Sequence, residues 1–105
     1  MDDRKVEAEM AAKGLTAPRV TVDAIDAMEA SLRYDAWIVP DTTTTLVSAT
    51  LPNGFVIAVG KSAAVSKANF NEEIGYNIAL DDARAKARDK LWELEGYALK
   101  KALAA

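Results

Sequence analysis

Leu46-Val47-Ser48-Ala49-Thr50-Leu51-Pro52-Asn53-Gly54-Phe55-Val56-Ile57-Ala58-Val59 (residues 46–59) decides how this chain folds. Asn53-Gly54 stands between two runs rich in β-branched and aromatic residues, and both residues tolerate the positive φ of a tight hairpin turn. The pattern predicts two antiparallel strands. In the returning strand Phe55, Ile57 and Val59 project to one side, and Val56 and Ala58 to the other. Apolar side chains on both faces call for cover on both faces.

Working upstream, Tyr34-Asp35-Ala36-Trp37-Ile38-Val39 reads as another strand that stops at Pro40. Thr42 to Thr45 form a polar, β-prone lead into the run that starts at Leu46. Before these strands, Thr21 suits an N-cap, Asp23 suits the positive end of a helix dipole, and Val22, Ile25, Met28 and Leu32 share a face. That spacing predicts a short amphipathic helix over 22–32. Residues 1–18 are polar and alanine-rich and are punctuated by Gly14 and Pro18. They read as a flexible or partly helical segment ahead of a single domain over 19–105.

Downstream, Lys61 to Lys67 reads as a loop with two serines. From about Asn71 the residues Ile74, Ile78, Ala79, Ala83, Ala87, Leu91 and Leu94 predict a long helix. Gly96 predicts a break, with Tyr97, Leu99 and Leu103 on a final short helix. The fold class expected is α+β: a short helix, a three-stranded antiparallel sheet with an Asn-Gly hairpin, and a long C-terminal helix broken near Gly96. One short and one long helix cover one sheet face. A symmetric partner subunit is the simplest cover for the other, so a homo-oligomer is expected.

Composition narrows the chemistry. Half of the 105 residues are apolar and 28% are charged, which is an ordinary globular balance. The net charge of −3 supplies no basic footprint for a nucleic-acid duplex. The sequence has no cysteine and no histidine, which removes thiolate nucleophiles, disulfides, the usual zinc ligands and the commonest general base. No catalytic residue, metal ligand or cofactor is therefore predicted, and the chain reads as a binding protein, not an enzyme. No apolar run is long enough to span a membrane, and Met1 to Lys5 lack the apolar core of a signal peptide, so a cytoplasmic location is expected.

Several constellations invite a functional reading. Gly60-Lys61-Ser62 resembles the end of a phosphate-binding P-loop, but Gly54 lies one position too far upstream and the residues between are strand-like. Lys61 and Ser62 remain candidates for a pocket rim, against the plainer alternative of a solvated strand end. Asp81 and Asp82 point about 100° apart on a helix, so they form no working carboxylate pair. Asp82 and Lys86 suit a surface ion pair. Arg84, Arg88 and Trp92 recur at i, i+4 and i+8, and two like charges so placed hint at a bound or cross-subunit anion. In the plainer reading both arginines reach into water while Trp92 packs in the core. Nothing near Thr42 to Thr45 activates a hydroxyl as a nucleophile.

From about Leu15 to Leu103 the sequence resembles a family of short tailed-phage proteins, the gene forty-nine/gene sixty-six family. The resemblance rests on Ala17-Pro18-Arg19-Val20-Thr21, Asn53-Gly54-Phe55, Gly60 and Ser62, Asn69-Phe70 with Glu73-Ile74-Gly75, Lys90-Leu91-Trp92 and Gly96-Tyr97. The chain departs from the family at Lys61, where an acidic residue is more frequent, and at Glu93, where a proline is frequent. The resemblance implies a phage origin and an accessory role in the host cytoplasm, and it brings no activity with it. By analogy with short oligomeric phage proteins that sequester host defence nucleotides, the leading expectation is a homo-oligomer that captures a small nucleotide-like signal through Lys61, Ser62, Tyr76, Arg84 and Arg88. The alternative is a protein–protein module that docks on a host or virion protein through its apolar sheet face.

Overall fold

The computed structural model describes residues 2–104. Its elements are α1 (Asp3–Ala12), α2 (Val22–Ala30), β1 (Arg33–Ile38), β2 (Thr44–Thr50), β3 (Val56–Ala63), a 3-10 turn (Lys67–Asn69) and α3 (Glu72–Ala104). The strands form one antiparallel sheet in the order β1-β2-β3. The fold is therefore α+β, with the short helix, three-stranded sheet and long C-terminal helix that the pattern predicts.

Local chemistry explains the starts and stops. Thr21 caps α2 by accepting the Ala24 N–H at 3.1 Å. Asn71 does the same for α3 by accepting the Ile74 N–H at 2.9 Å. Gly14 ends α1 at φ 69°, and its N–H and that of Leu15 bond back to Ala11 and Met10.

The hairpin differs from the Asn-Gly turn in one respect. Leu51 and Phe55 close a three-residue loop in which Gly54 donates to the Leu51 carbonyl at 2.9 Å. Only Gly54 takes a positive φ, of 90°. Pro52 fixes the first corner, and the Asn53 side chain accepts the Phe55 N–H at 3.0 Å, so Asn53 serves by its amide and not by a left-handed backbone.

β3 also runs on through Lys61 and Ser62, where the sequence suggested a loop. The β2 threonines are the reason: Thr44 pairs with Ala63 and Thr45 with Ser62, which carries the ladder past Gly60. A bulge shifts the faces too. Ala49 pairs with Ala58 but Thr50 pairs with Val56, leaving Ile57 as the extra residue. Ile57 turns into the core and Ala58 packs against it, while Val56 (53% exposed) and Val59 (43%) face outward with Trp37 (46%). Simple alternation set Ala58 with Val56 and opposite Ile57 and Val59; the bulge instead puts Ala58 with Ile57 on the core side and Val59 on the other, and the outer sheet face has no cover from the chain's own helices.

The inner face meets α3 through small residues. Gly75, Ala79, Ala83, Ala87 and Leu91 recur every four positions and are buried. A Cβ added at Gly60 would lie 2.1 Å from the Ala79 carbonyl oxygen and 2.3 Å from the Ala83 nitrogen, so strand and helix touch backbone to backbone. α2 closes the other end, where Ile25 and Leu32 join Ala49, Ile57, Ala87 and Leu91.

α3 does not break at Gly96. Leu94, Glu95, Ala98, Leu99 and Lys100 are strong helix formers, and no capping residue or proline accompanies the glycine, so its cost of about 1 kcal/mol is absorbed. At 33 residues the helix is about 50 Å long and accounts for the 56 Å long axis of the molecule. A Cβ at Gly96 meets nothing within 4 Å. Gly96→Ala is therefore expected to stabilise the protein by about 0.5–1 kcal/mol, read as a raised urea midpoint; a lowered midpoint would contradict a continuous helix.

Candidate functional site

The four-residue period of α3 sorts its side chains into parallel rows. The central row is the buried one. The row on the β1 side is Glu72, Tyr76, Leu80, Arg84 and Arg88. Glu72 and Tyr76 border a hollow of about 250 Å³ with Ala36, Trp37, Ile38 and Thr45. Leu80 packs near Tyr34 and Val47. Arg84 and Arg88 line a larger cleft of about 490 Å³ with Asp26, Glu29, Leu32 and Tyr34. The row on the β3 side is Ile74, Ile78, Asp82, Lys86 and Lys90, which flanks Ser62, Ala63 and the strand edge.

The five nominated residues therefore do not form one site. Tyr76, Arg84 and Arg88 share the β1 flank of α3. Ser62 lies across the helix, in a separate hollow with Asn69, Phe70 and Asn71. Lys61 is exposed on β3, and its contribution is its backbone: its N–H donates to Asp82 Oδ2 at 3.0 Å. Asp82 also accepts from Lys86 at 2.8 Å. The Lys86 contact, then the Lys61 amide, hold the Asp82 carboxyl below its ordinary pKa.

The two arginines differ in what they have available. Arg88 is spent inside the fold: its guanidinium meets Glu29 at 2.6 Å, Asp3 at 2.9 Å and Asp26 at 2.9 Å. These bonds, Glu29 foremost, push its pKa further up, so it stays charged and fully engaged. Arg4 adds contacts to Asp23 and Asp26, and the resulting network ties α1 and α2 to α3. Of the two like charges read as a hint of a bound anion, that of Arg88 is thus met by carboxylates of the same chain. Arg84, by contrast, has no carboxylate partner among the described residues. Its guanidinium sits 5.5 Å from the centroid of the Tyr34 ring, within cation–π range.

Trp92, placed with the arginines by spacing, continues the same row but belongs to a third hollow, with Val6, Met10, Arg19 and Val20. There Glu7 joins Arg19 and accepts the Val22 N–H at 2.9 Å; Arg19 first, then that amide, lower the Glu7 pKa. Thr45 is buried, and its hydroxyl has no hydrogen-bond partner among the described residues. Among the described residues no cluster of acidic side chains is arranged to hold a metal ion, and no helix is long and apolar enough to cross a membrane.

A family model described as phage protein (N4 Gp49/phage Sf6 gene 66) family matches residues 20–103. The chain belongs to this phage protein family. No curated protein and no solved structure gives a significant match. The matched span of this Gp49/gene 66 family member takes in both clefts on the β1 flank and leaves out the whole of α1, including Asp3 and Arg4 of the ion network. Sequence spacing brought Arg84, Arg88 and Trp92 to notice, Tyr76 was nominated beside them without a spacing argument, and Glu72, Leu80 and Tyr34 were missed. The signal was there, since Glu72 and Leu80 complete the same i+4 row.

Proposed function

We propose that this family member is a phage accessory binding protein whose β1-flank cleft receives a small planar anion, such as a nucleotide-like signal. The observation that carries this reading is Arg84, an uncommitted guanidinium poised over the Tyr34 ring. A flat base or ring enters beside that pair by stacking, and a phosphate or carboxylate takes the guanidinium donors. Arg88 serves as scaffold and not as ligand. Lys61 and Ser62 lie outside this cleft, so the reading no longer uses them. Without histidine or cysteine, capture is better supported than turnover.

The test is titration calorimetry of the purified protein against 3′,5′-cyclic mononucleotides, cyclic dinucleotides and ADP-ribose. Binding of one class is expected, with affinity lowered about tenfold or more by Arg84→Ala, a loss of one charge-assisted contact. Absence of heat with every member of the set would sink this version. The bare outer face with Trp37, Val56 and Val59 favours a second reading, docking on a host or virion protein. A stoichiometric partner lost on Trp37→Asp, with no small ligand retained, would select it.

A further inference from the structure

The two edges of the sheet are treated differently. On β3, whose Lys61 N–H points away from β2, the Asp82 carboxylate occupies that donor. On β1, Val39 donates to Thr44 at 3.0 Å, which fixes the alternation of the ladder: residues 33, 35 and 37 bond to β2. The N–H and C=O groups of Tyr34, Ala36 and Ile38 consequently point to the open edge. Among the described residues no hydrogen bond outside the sheet occupies these groups, and Ala36 is exposed.

Edge strands usually carry a guard: a lysine, a proline, a bulge or an unpaired charge. β1 has none of the first three, and its two charges, Arg33 and Asp35, neutralise each other at 2.9 Å. Its inner face is only thinly covered, because α3 lies over β2 and β3 and meets β1 through the row of Glu72, Tyr76, Leu80 and Arg84, with Tyr34 alone packed against the core.

We infer that the free edge of β1 pairs antiparallel with β1 of a second copy, joining two sheets into one of six strands. This goes beyond the binding reading and does not depend on which ligand is bound. A two-fold pairing that uses every outward group places Ala36 opposite Ala36 of the partner subunit, and sets Tyr34 of each copy opposite the other copy's Ile38. Six backbone hydrogen bonds form in that register. Centring on Asp35 instead would set two carboxylates face to face, and centring on Trp37 would shorten the ladder.

The pairing also completes the cleft. Both copies of α3 then stand on the same side, separated by β2 and β1 of each subunit. With strands about 4.8 Å apart, the helix axes lie roughly 19 Å from each other, and helices about 10 Å wide leave an opening of about 9 Å. Tyr34, Ala36 and Ile38 of both copies make its floor, with Tyr76 and Arg84 from each side as walls. A half-site becomes a groove only when the second copy is present.

The test is sedimentation equilibrium of the full chain, wild type and Ala36→Pro, at about 100 µM, where mass action favours the dimer. Wild type is expected at twice the 11.3 kDa chain mass. Proline removes an edge donor without touching the bonds to β2, so Ala36→Pro is expected as a monomer with unchanged far-UV circular dichroism. Because the chain has no cysteine, Ala36→Cys and Val59→Cys give an independent readout under mild oxidation. Ala36→Cys is expected to give a disulfide-linked dimer and Val59→Cys, on the outer face, is not. If Ala36→Pro fails to fold, the two cysteine variants decide the matter. A monomeric wild type, or cross-linking through Val59 in place of Ala36, would overturn the inference.

Discussion

Gly60→Ala is expected to destabilise the domain by about 3 kcal/mol or more, a large share of the 5–15 kcal/mol typical of small domains. The added methyl would have to occupy space 2.1 Å from the Ala79 carbonyl oxygen and 2.3 Å from the Ala83 nitrogen. Both are helix backbone, so no side chain can swing aside. Relief requires α3 to lift from β3, which opens the contacts of Ala79, Ala83 and Ala87 together. Urea denaturation should show a lower midpoint with little change in slope, and a melting temperature lower by roughly 12 °C or more. A loss below about 1 kcal/mol would mean that helix and strand do not touch as described.

Arg88→Ala should have the second largest effect, about 1–2 kcal/mol, because it strands three carboxylates around a site that is only 28% exposed. Arg88→Lys should recover only part of it, since a point charge cannot replace a planar fork that meets Asp3, Asp26 and Glu29 at once. The damage should be local first: α1 has no buried residue and is held largely by Asp3, Arg4 and Glu7, so hydrogen exchange over residues 3–12 should accelerate. The same network sets an acid dependence. Arg88 first, then Arg4, depress the Asp26 carboxyl below its ordinary 3.8, and Arg19 depresses Glu7 below 4.5. Depressed carboxyls lend stability that is complete above those ordinary values and is lost as pH falls through the lowered ones. Wild type should therefore weaken as pH drops below about 4.5, and Arg88→Ala should show a shallower decline. An unchanged exchange rate over residues 3–12 in Arg88→Ala would refute the anchoring role.

How far the sequence revealed this molecule depends on the range of the forces involved. Thr21, Gly14 and Gly54 act within a few residues, and their caps and turns could be read directly. Asn53-Gly54 located the hairpin, but Pro52 changed the turn that closes it. The bulge at Ile57 was invisible, because it depends on which residue of β2 stands opposite, and it turned Ala58 inward and Val59 outward. The Gly60 and alanine rows could be seen as small residues; that they meet was knowable only once strand and helix were stacked. Gly96 misled because a single unfavourable residue does not end a helix whose neighbours all favour it.

Site residues follow the same division. The i+4 spacing of Arg84 and Arg88 placed them on one flank of α3, and the structure shows Tyr76 on the same row. Spacing could not show that Asp3, some 85 positions away, spends the charge of Arg88 and leaves that of Arg84 free. Long-range ion pairing decides which cation is available, and it is set by tertiary arrangement alone.

The Asp82 carboxylate on the Lys61 amide limits how far any assembly can grow. A filament of stacked sheets requires an open border at each end of the repeating unit, and on the β3 border of this molecule the Lys61 donor is already taken by its own side chain. If two copies join through β1 as inferred above, the united sheet would present to a third copy only β3 borders on which this carboxylate already occupies a donor. Asp82→Ala would remove the stopper, and concentrated solutions of that variant should thicken into fibres while those of the parent stay clear.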